Sequence, residues 1–284
     1  AGFWEGAEKA VAAKAKREIA PLRAFASLRN GSETGFISAM AFERETFLEL
    51  RGSEQAAALR HVFFAERAAP RPPELAGVTP RDMRSAAVIG GGTMGAGIAA
   101  ALRDAGLSVI LIERDAAAVG RGLANIRAIF DASVKRGRIT QTVADDRMSG
   151  VTGSDDYGLL ADTDLVIEAV FEDIAVKRAV FEKLSAVCRS DAVLATNTSY
   201  LDPNAISKGV SHPERFLGLH FFPPDEKMPL VEIIVGKKTS QETLARSMDF
   251  VQKIRKTPIV VNDSRGFFTS PVCGAFISEG HNLL

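Results

Sequence analysis

The residues best suited to chemistry fall in two places. In the first, Ala87-Val88-Ile89 runs into Gly90-Gly91-Gly92-Thr93-Met94-Gly95, an apolar run followed by G-x-G-x-x-G and then a helical pattern. Each glycine of that spacing has a mechanical use. Gly90 permits the tight turn, Gly92 lets the backbone approach a pyrophosphate, and Gly95 lets the helix pack closely on the strand. The helix start adds free N–H groups and the positive end of its dipole for an anion. The next candidate strand ends at Glu113, about 20 residues on, where an acid binds a ribose 2′-hydroxyl and repels a 2′-phosphate. The pattern predicts NAD rather than NADP, with the neighbouring Arg114 pulling the other way.

The second place is His220. Of the 4 histidines, His61 lies in a helical region, His212 precedes a proline and His281 is near the end. His220 sits in Gly218-Leu219-His220-Phe221-Phe222, near the C-terminal end of a candidate strand. In open α/β sheets that edge carries the ligand crevice. A histidine among apolar residues is commonly a hydrogen-bonded core residue, so its company decides. Glu232 stands on the next strand in Leu230-Val231-Glu232-Ile233-Ile234, and an acid inside an apolar run is rare unless paired. Asn197-Thr198-Ser199 closes a third strand with hydroxyls. A carboxylate orienting an imidazole, with a hydroxyl nearby, can take a proton from an alcohol while hydride leaves the same carbon. The acid would fix the ring tautomer and favour the imidazolium formed during oxidation.

These residues need a scaffold that brings strand ends together. From Ser85 onward, short apolar runs alternate with helical patterns. Candidate strands are 86–89, 109–112, 165–169, 193–196, 216–221, 230–235 and 258–261, and candidate helices are 94–105, 116–136, 174–186, 202–207 and 240–254. Continuous apolar strands separated by helices indicate a parallel sheet covered on both faces, with an antiparallel or mixed edge near the end. Residues 1–67 read as all-helical, with a break at Asn30-Gly31-Ser32. Their large apolar residues, including Phe36, Phe47, Phe63 and Phe64, call for a partner surface. Residues 68–84 carry Pro70, Pro72, Pro73, Gly77 and Pro80 and read as a linker.

Composition narrows the function classes. The chain has 284 residues, 46% hydrophobic and 25% charged, enough for a sizeable core. Its 35 basic and 35 acidic side chains cancel, which leaves no electrostatic footprint for nucleic acid or an anionic membrane. The 2 cysteines, Cys188 and Cys273, are too few for a disulfide framework or a cysteine zinc site, and no metal is expected. No run is long and apolar enough for a transmembrane helix, and the first residues do not form a secretory signal.

The segments Val88–Gly97, Ile167-Glu168-Ala169-Val170-Phe171-Glu172, Asn197-Thr198-Ser199, Gly218–Phe222, Met228-Pro229-Leu230-Val231-Glu232 and Thr257–Asp263 occur in this order. Together they resemble L-3-hydroxyacyl-CoA dehydrogenase, in the form found in multifunctional fatty-acid β-oxidation enzymes. The resemblance covers about residues 85–284. It implies a Rossmann-type doubly wound, mostly parallel sheet, preceded by the helical segment and the Pro-rich linker. It also implies NAD-dependent oxidation of a (3S)-3-hydroxyacyl-CoA to a 3-ketoacyl-CoA. His220 falls on the family's catalytic base, Glu232 on its carboxylate partner, and Ser199 on the serine near the nicotinamide and the substrate oxygen. The cofactor is placed on Gly90, Gly92, Thr93, Met94, Gly95 and Glu113, with Val170, Phe171, Glu172 and Lys177 under its nicotinamide half.

The match departs from the family near the end. Pro223 stands where an asparagine is frequent. In Gly266-Phe267-Phe268-Thr269-Ser270-Pro271, Ser270 replaces an asparagine and Pro271 an arginine. Ser270 is expected to reach the substrate carbonyl over a shorter span, whereas Pro271 removes a cation and a backbone donor. Residues 42–50 and 60–67 resemble the helical tail that follows a crotonase-like hydratase domain. Residues 263–284 resemble the start of a helical C-terminal dehydrogenase domain. Both ends are therefore expected to be cuts in a longer protein, placed by the resemblance in the bacterial cytoplasm, with mitochondria and peroxisomes as the alternatives. Its partners the resemblance gives as an acyl-CoA substrate and a thiolase subunit or a second copy. Two other readings stay open: a different hydroxy-acid oxidoreductase of the same fold, which Glu172, Lys177 and the 199–220–232 spacing oppose, and an NAD-binding chain without turnover.

Overall fold

The computed structural model describes residues 2–225 and 227–283. The chain forms two units, residues 1–68 and 69–284. The first is helical: α1 (Gly2–Ala15), α2 (Ala20–Glu33), α3 (Phe36–Gly52) and α4 (Glu54–Ala68). The break expected at Asn30-Gly31-Ser32 is absent, because α2 runs through it. Gly31 lies where α2 packs on α3, and a methyl there would meet the Ala39 Cβ at 3.7 Å, an ordinary contact, so glycine is not required at this position. The chain breaks earlier instead, where Lys16 turns left-handed (φ 52°) and Pro21 falls in the first turn of α2. Phe36, Phe47, Phe63 and Phe64 are all exposed.

The second unit is built on a sheet of 8 strands in the order β3-β2-β1-β4-β5-β6-β7-β8. Its first half contains β1 (Ser85–Ile89), α5 (Thr93–Asp104), β2 (Ser108–Ile112), α6 (Ala116–Lys135), α7 (Gln141–Ser149), β3 (Val151–Ser154) and β4 (Leu165–Glu168). The second half follows with α8 (Ile174–Val187), β5 (Val193–Thr196), α9 (Pro203–Ile206), β6 (Phe216–Phe221), β7 (Leu230–Val235), α10 (Gln241–Lys253), β8 (Thr257–Asn262) and α11 (Thr269–Asn282). Every strand pair is parallel except β6–β7. The sheet carries an apolar cluster on each face, one including Ile98, Phe130 and Phe250, the other Phe181, Leu184 and Phe216. Burial on both faces accounts for the uninterrupted apolar strands. β3 and α7 lie outside the expected elements. β3 is a short edge strand of Val, Thr, Gly and Ser, and α7 buries only Ala144, so neither carries an apolar pattern.

The proline-rich stretch read as a linker docks along the second unit. Lys253 Nζ meets Asp82 Oδ1 at 2.9 Å, and Arg81 pairs with Asp191. No described helix is long and apolar enough to cross a membrane.

The strand order reverses direction between β1 and β4, and ligands of open α/β sheets bind outside the strand ends at such a point. The C-terminal ends of β1, β2, β4, β5 and β6 all face that edge. Because β7 runs the other way, its first residues arrive there too, and its register sets Glu232 opposite His220.

Candidate active site

The glycine turn is held by backbone and absence. Gly90 has φ +98°, which favours glycine, and a Cβ on it would come within 2.8 Å of the Ala169 carbonyl. A Cβ on Gly95 would stand 1.8 Å from the Gly90 carbonyl oxygen, so only glycine lets α5 close on the strand end. Around Gly92 nothing lies within 4 Å of such an atom, so the backbone is open to an approaching group. Gly90, Gly92, Glu113, Val170 and Phe171 line one cavity of about 640 Å³, with Ile112, Arg121 and Tyr157 among its other walls. An open glycine at a helix start, an acid at the next strand end and a slot of this size fit a dinucleotide.

Thr93 and Met94 open α5, where Thr93 is exposed and Met94 is half-buried against the core. Glu113 Oε1 accepts from the Gly91 N–H at 2.8 Å, and Oε2 from the Arg114 N–H at 3.1 Å. Arg114 in turn meets Asp115 at 3.2 Å.

Beneath the segment after β4 lies a buried ionic layer. Lys177 is 1% exposed, and its Nζ meets Glu168 Oε1 at 2.7 Å and Glu172 Oε2 at 3.1 Å. Glu168, fully buried, also accepts from the Val170 N–H at 2.8 Å and the Thr196 hydroxyl at 2.7 Å. Glu172 Oε1 accepts from the Thr198 hydroxyl and from the Ser199 N–H, the latter at 3.0 Å. Lys177 thus supports this segment from below, and Ser199 is exposed at the crevice edge with its backbone tied down.

The dyad forms on strand pairing. His220 Nδ1 and Glu232 Oε2 are 2.8 Å apart, both buried. The other oxygen of Glu232 accepts two backbone N–H groups, from Phe268 at 3.1 Å and Thr269 at 2.9 Å. Burial pushes the Glu232 carboxyl up, but hydrogen bonds from His220 and from Thr269 outweigh it and hold it below the usual carboxylate range. With Glu232 ionised, the ring donates from Nδ1, and in the neutral imidazole Nε2 then carries the lone pair. Phe222 and Phe267 cover the imidazole, with centroids at 4.4 and 5.7 Å. Ser270 is exposed, one residue beyond the N–H that reaches Glu232.

Sequence reasoning assigned no role to Glu168, Thr196, Asn197, Thr198 or Phe267. Asn197 Oδ1 accepts from the Phe221 N–H at 2.9 Å, next to His220. The signal that singled out Glu232, an acid inside an apolar run, is equally present at Glu168 in Leu165-Val166-Ile167-Glu168.

A family model described as 3-hydroxyacyl-CoA dehydrogenase, NAD binding domain, matches residues 85–264. The fatty acid oxidation complex subunit alpha of Shewanella putrefaciens is 36% identical over 266 residues, 93% of this chain and 38% of that protein. The chain therefore spans well under half the length of such curated relatives. Among solved structures, (S)-3-hydroxybutyryl-CoA dehydrogenase PaaH1 from Ralstonia eutropha is similar at a TM-score of 0.67 and 32% identity, covering 72% of this chain and 74% of that one. The dehydrogenase part of multifunctional enzyme 1 from C. elegans gives 0.60 and 32%, covering 64% and 42%.

Proposed function

The chain belongs to the 3-hydroxyacyl-CoA dehydrogenase family, whose NAD-binding domain it contains, and from that membership we propose that it oxidises (3S)-3-hydroxyacyl-CoA to 3-ketoacyl-CoA in fatty-acid oxidation. The observation that carries the reading is the His220–Glu232 pair at 2.8 Å, set on the sheet edge where the cofactor turn also opens. When bound, NAD supplies the hydride acceptor. The chain's residues handle the proton. His220 Nε2 takes it from the C3 hydroxyl as the carbon–hydrogen bond breaks and the carbonyl forms. The charge on Glu232 stabilises the resulting imidazolium and keeps Nδ1 protonated. In the reverse direction the same nitrogen returns the proton to the ketone oxygen.

Ser199 offers its hydroxyl to the substrate oxygen, and Ser270 to the thioester carbonyl. Gly90, Gly92, Thr93, Met94 and Gly95 cradle the pyrophosphate, Glu113 takes the ribose, and Val170 and Phe171 support the nicotinamide half. Glu172 and Lys177 hold that support from below. For the longer protein, the name of the Shewanella relative supports a place in a multi-subunit fatty acid oxidation complex, for which a thiolase subunit is the partner the resemblance implies, and bacterial relatives support a cytoplasmic setting.

The test is NADH oxidation with acetoacetyl-CoA. The expected result is turnover that falls about 10²–10⁴-fold in His220→Ala while NADH affinity holds. Equal rates in both proteins overturn the role of His220. NADH binding with no turnover in either makes the chain a binding module.

A further inference from the structure

The turn between β8 and α11 contacts the dyad from two sides. Gly266 (φ +75°) and Phe267 (φ +58°) both lie in the left-handed region, which suits the glycine but strains a bulky residue. Such strain persists only where the surroundings over-determine it. Here Phe267 is 4% exposed, its N–H donates to the Ser264 carbonyl at 2.9 Å, and its own carbonyl accepts from the Ser264 hydroxyl at 3.0 Å. The ring stands edge-on to His220, and the next two N–H groups converge on Glu232 Oε1. Strand pairing alone leaves that oxygen without donors and leaves the imidazole open on this side.

We propose that Phe267 is a positioning residue for the dyad: its left-handed backbone aims the Phe268 and Thr269 N–H groups at Glu232, and its ring walls the imidazole of His220. The effect on turnover rests on the proposed role of His220 as base. The effect on the imidazole does not.

Two variants separate the parts. Phe267→Gly accepts the positive φ without strain, so it keeps the Glu232 hydrogen bonds and removes the ring alone. Phe267→Leu keeps an apolar side chain over His220 in the same strained turn. In the 284-residue chain, Phe267→Gly is expected to lower kcat for acetoacetyl-CoA about tenfold, as a small misplacement of a catalytic group does. NADH affinity should stay within about twofold, and the deuterium isotope effect on kcat with NADH labelled at the transferred position should rise. Phe267→Leu should stay within about threefold of the parent. Independently of turnover, proton NMR should show the downfield Nδ1–H resonance of His220 in the parent and in Phe267→Leu, and its loss by exchange in Phe267→Gly. An unchanged resonance with kcat within twofold overturns the proposal. So does a loss of NADH affinity that matches the loss of kcat, because that reports general damage. Should the parent fail to turn over while the resonance behaves as expected, the proposed activity falls and the positioning role stands.

Discussion

The glycine turn after β1 and the dyad on β6 and β7 are made from opposite materials. The turn works by missing side chains: a Cβ on Gly95 would collide with the Gly90 carbonyl at 1.8 Å, and the space around Gly92 is open. The dyad works by side chains that meet 2.8 Å apart because two antiparallel strands pair in one register. The ionic layer under β4 and β5 belongs with the dyad in kind, since Glu168 and Lys177 are buried charges that exist only as partners. A site of backbone and space fails by obstruction. A site of buried polar side chains fails by desertion, when one partner is removed and the other is left without water.

The contrast predicts its largest effect at Lys177. Lys177→Met keeps length and removes the cation, which strands Glu168 inside the protein and leaves the half-buried Glu172 without its partner. Breaking a buried pair from one side costs about 3–5 kcal/mol, and this should appear as a lower denaturant midpoint for the second unit. A loss under about 1 kcal/mol, on the scale of an exposed pair, would show that water reaches the layer and would erase the distinction. At the turn the expected loss is smaller and differently distributed. Gly95→Ala forces α5 away from the strand, an overpacking that costs about 1–3 kcal/mol of stability, and it should weaken NADH binding at least about tenfold by displacing the helix start. Isothermal titration beside a melting curve reads both. Unimpaired NADH binding would mean that the helix start is not what receives the anion.

The same contrast explains what was legible in the sequence. The glycine turn is local, and its function is encoded in spacing, so Gly90, Gly92, Gly95 and Glu113 stand out without any fold. The strands from β4 to β7 were legible because burial on both faces leaves unbroken apolar runs. His220 and Glu232 were legible as types out of place among apolar neighbours, and the short gap between their strands suggested an antiparallel edge, but the register that sets them opposite each other is not encoded locally. Glu168 carries the same signal as Glu232 and went without a role because its partners, Lys177 and Thr196, come from a helix and a neighbouring strand. Phe267 stands out by no local pattern, since what sets its ring against His220 is a left-handed backbone angle. In the first unit, Asn30-Gly31-Ser32 imitates a helix end by composition, yet α2 continues through it to Glu33.

Glu113 crosses the line between the two kinds of site, which makes it the finest test. It is a side chain at work in the region built of backbone, and its Oε1 holds the Gly91 N–H at 2.8 Å. Its charge would repel a 2′-phosphate, while Arg121 lines the same cavity and Arg114 is drawn to Asp115 at 3.2 Å. Glu113→Gln keeps size and an acceptor and removes only the charge. Glu113→Ala removes both. If charge sets the choice of cofactor, both variants should shift the ratio of NADPH to NADH affinity by about tenfold toward NADPH, the value of roughly 1.4 kcal/mol. If the acceptor is what matters, Glu113→Gln should keep the parent preference and only Glu113→Ala should change. The first outcome makes the turn a backbone cradle with an electrostatic gate on its rim. The second makes Glu113 one more member of the hydrogen-bonded turn, and the cradle then selects by shape.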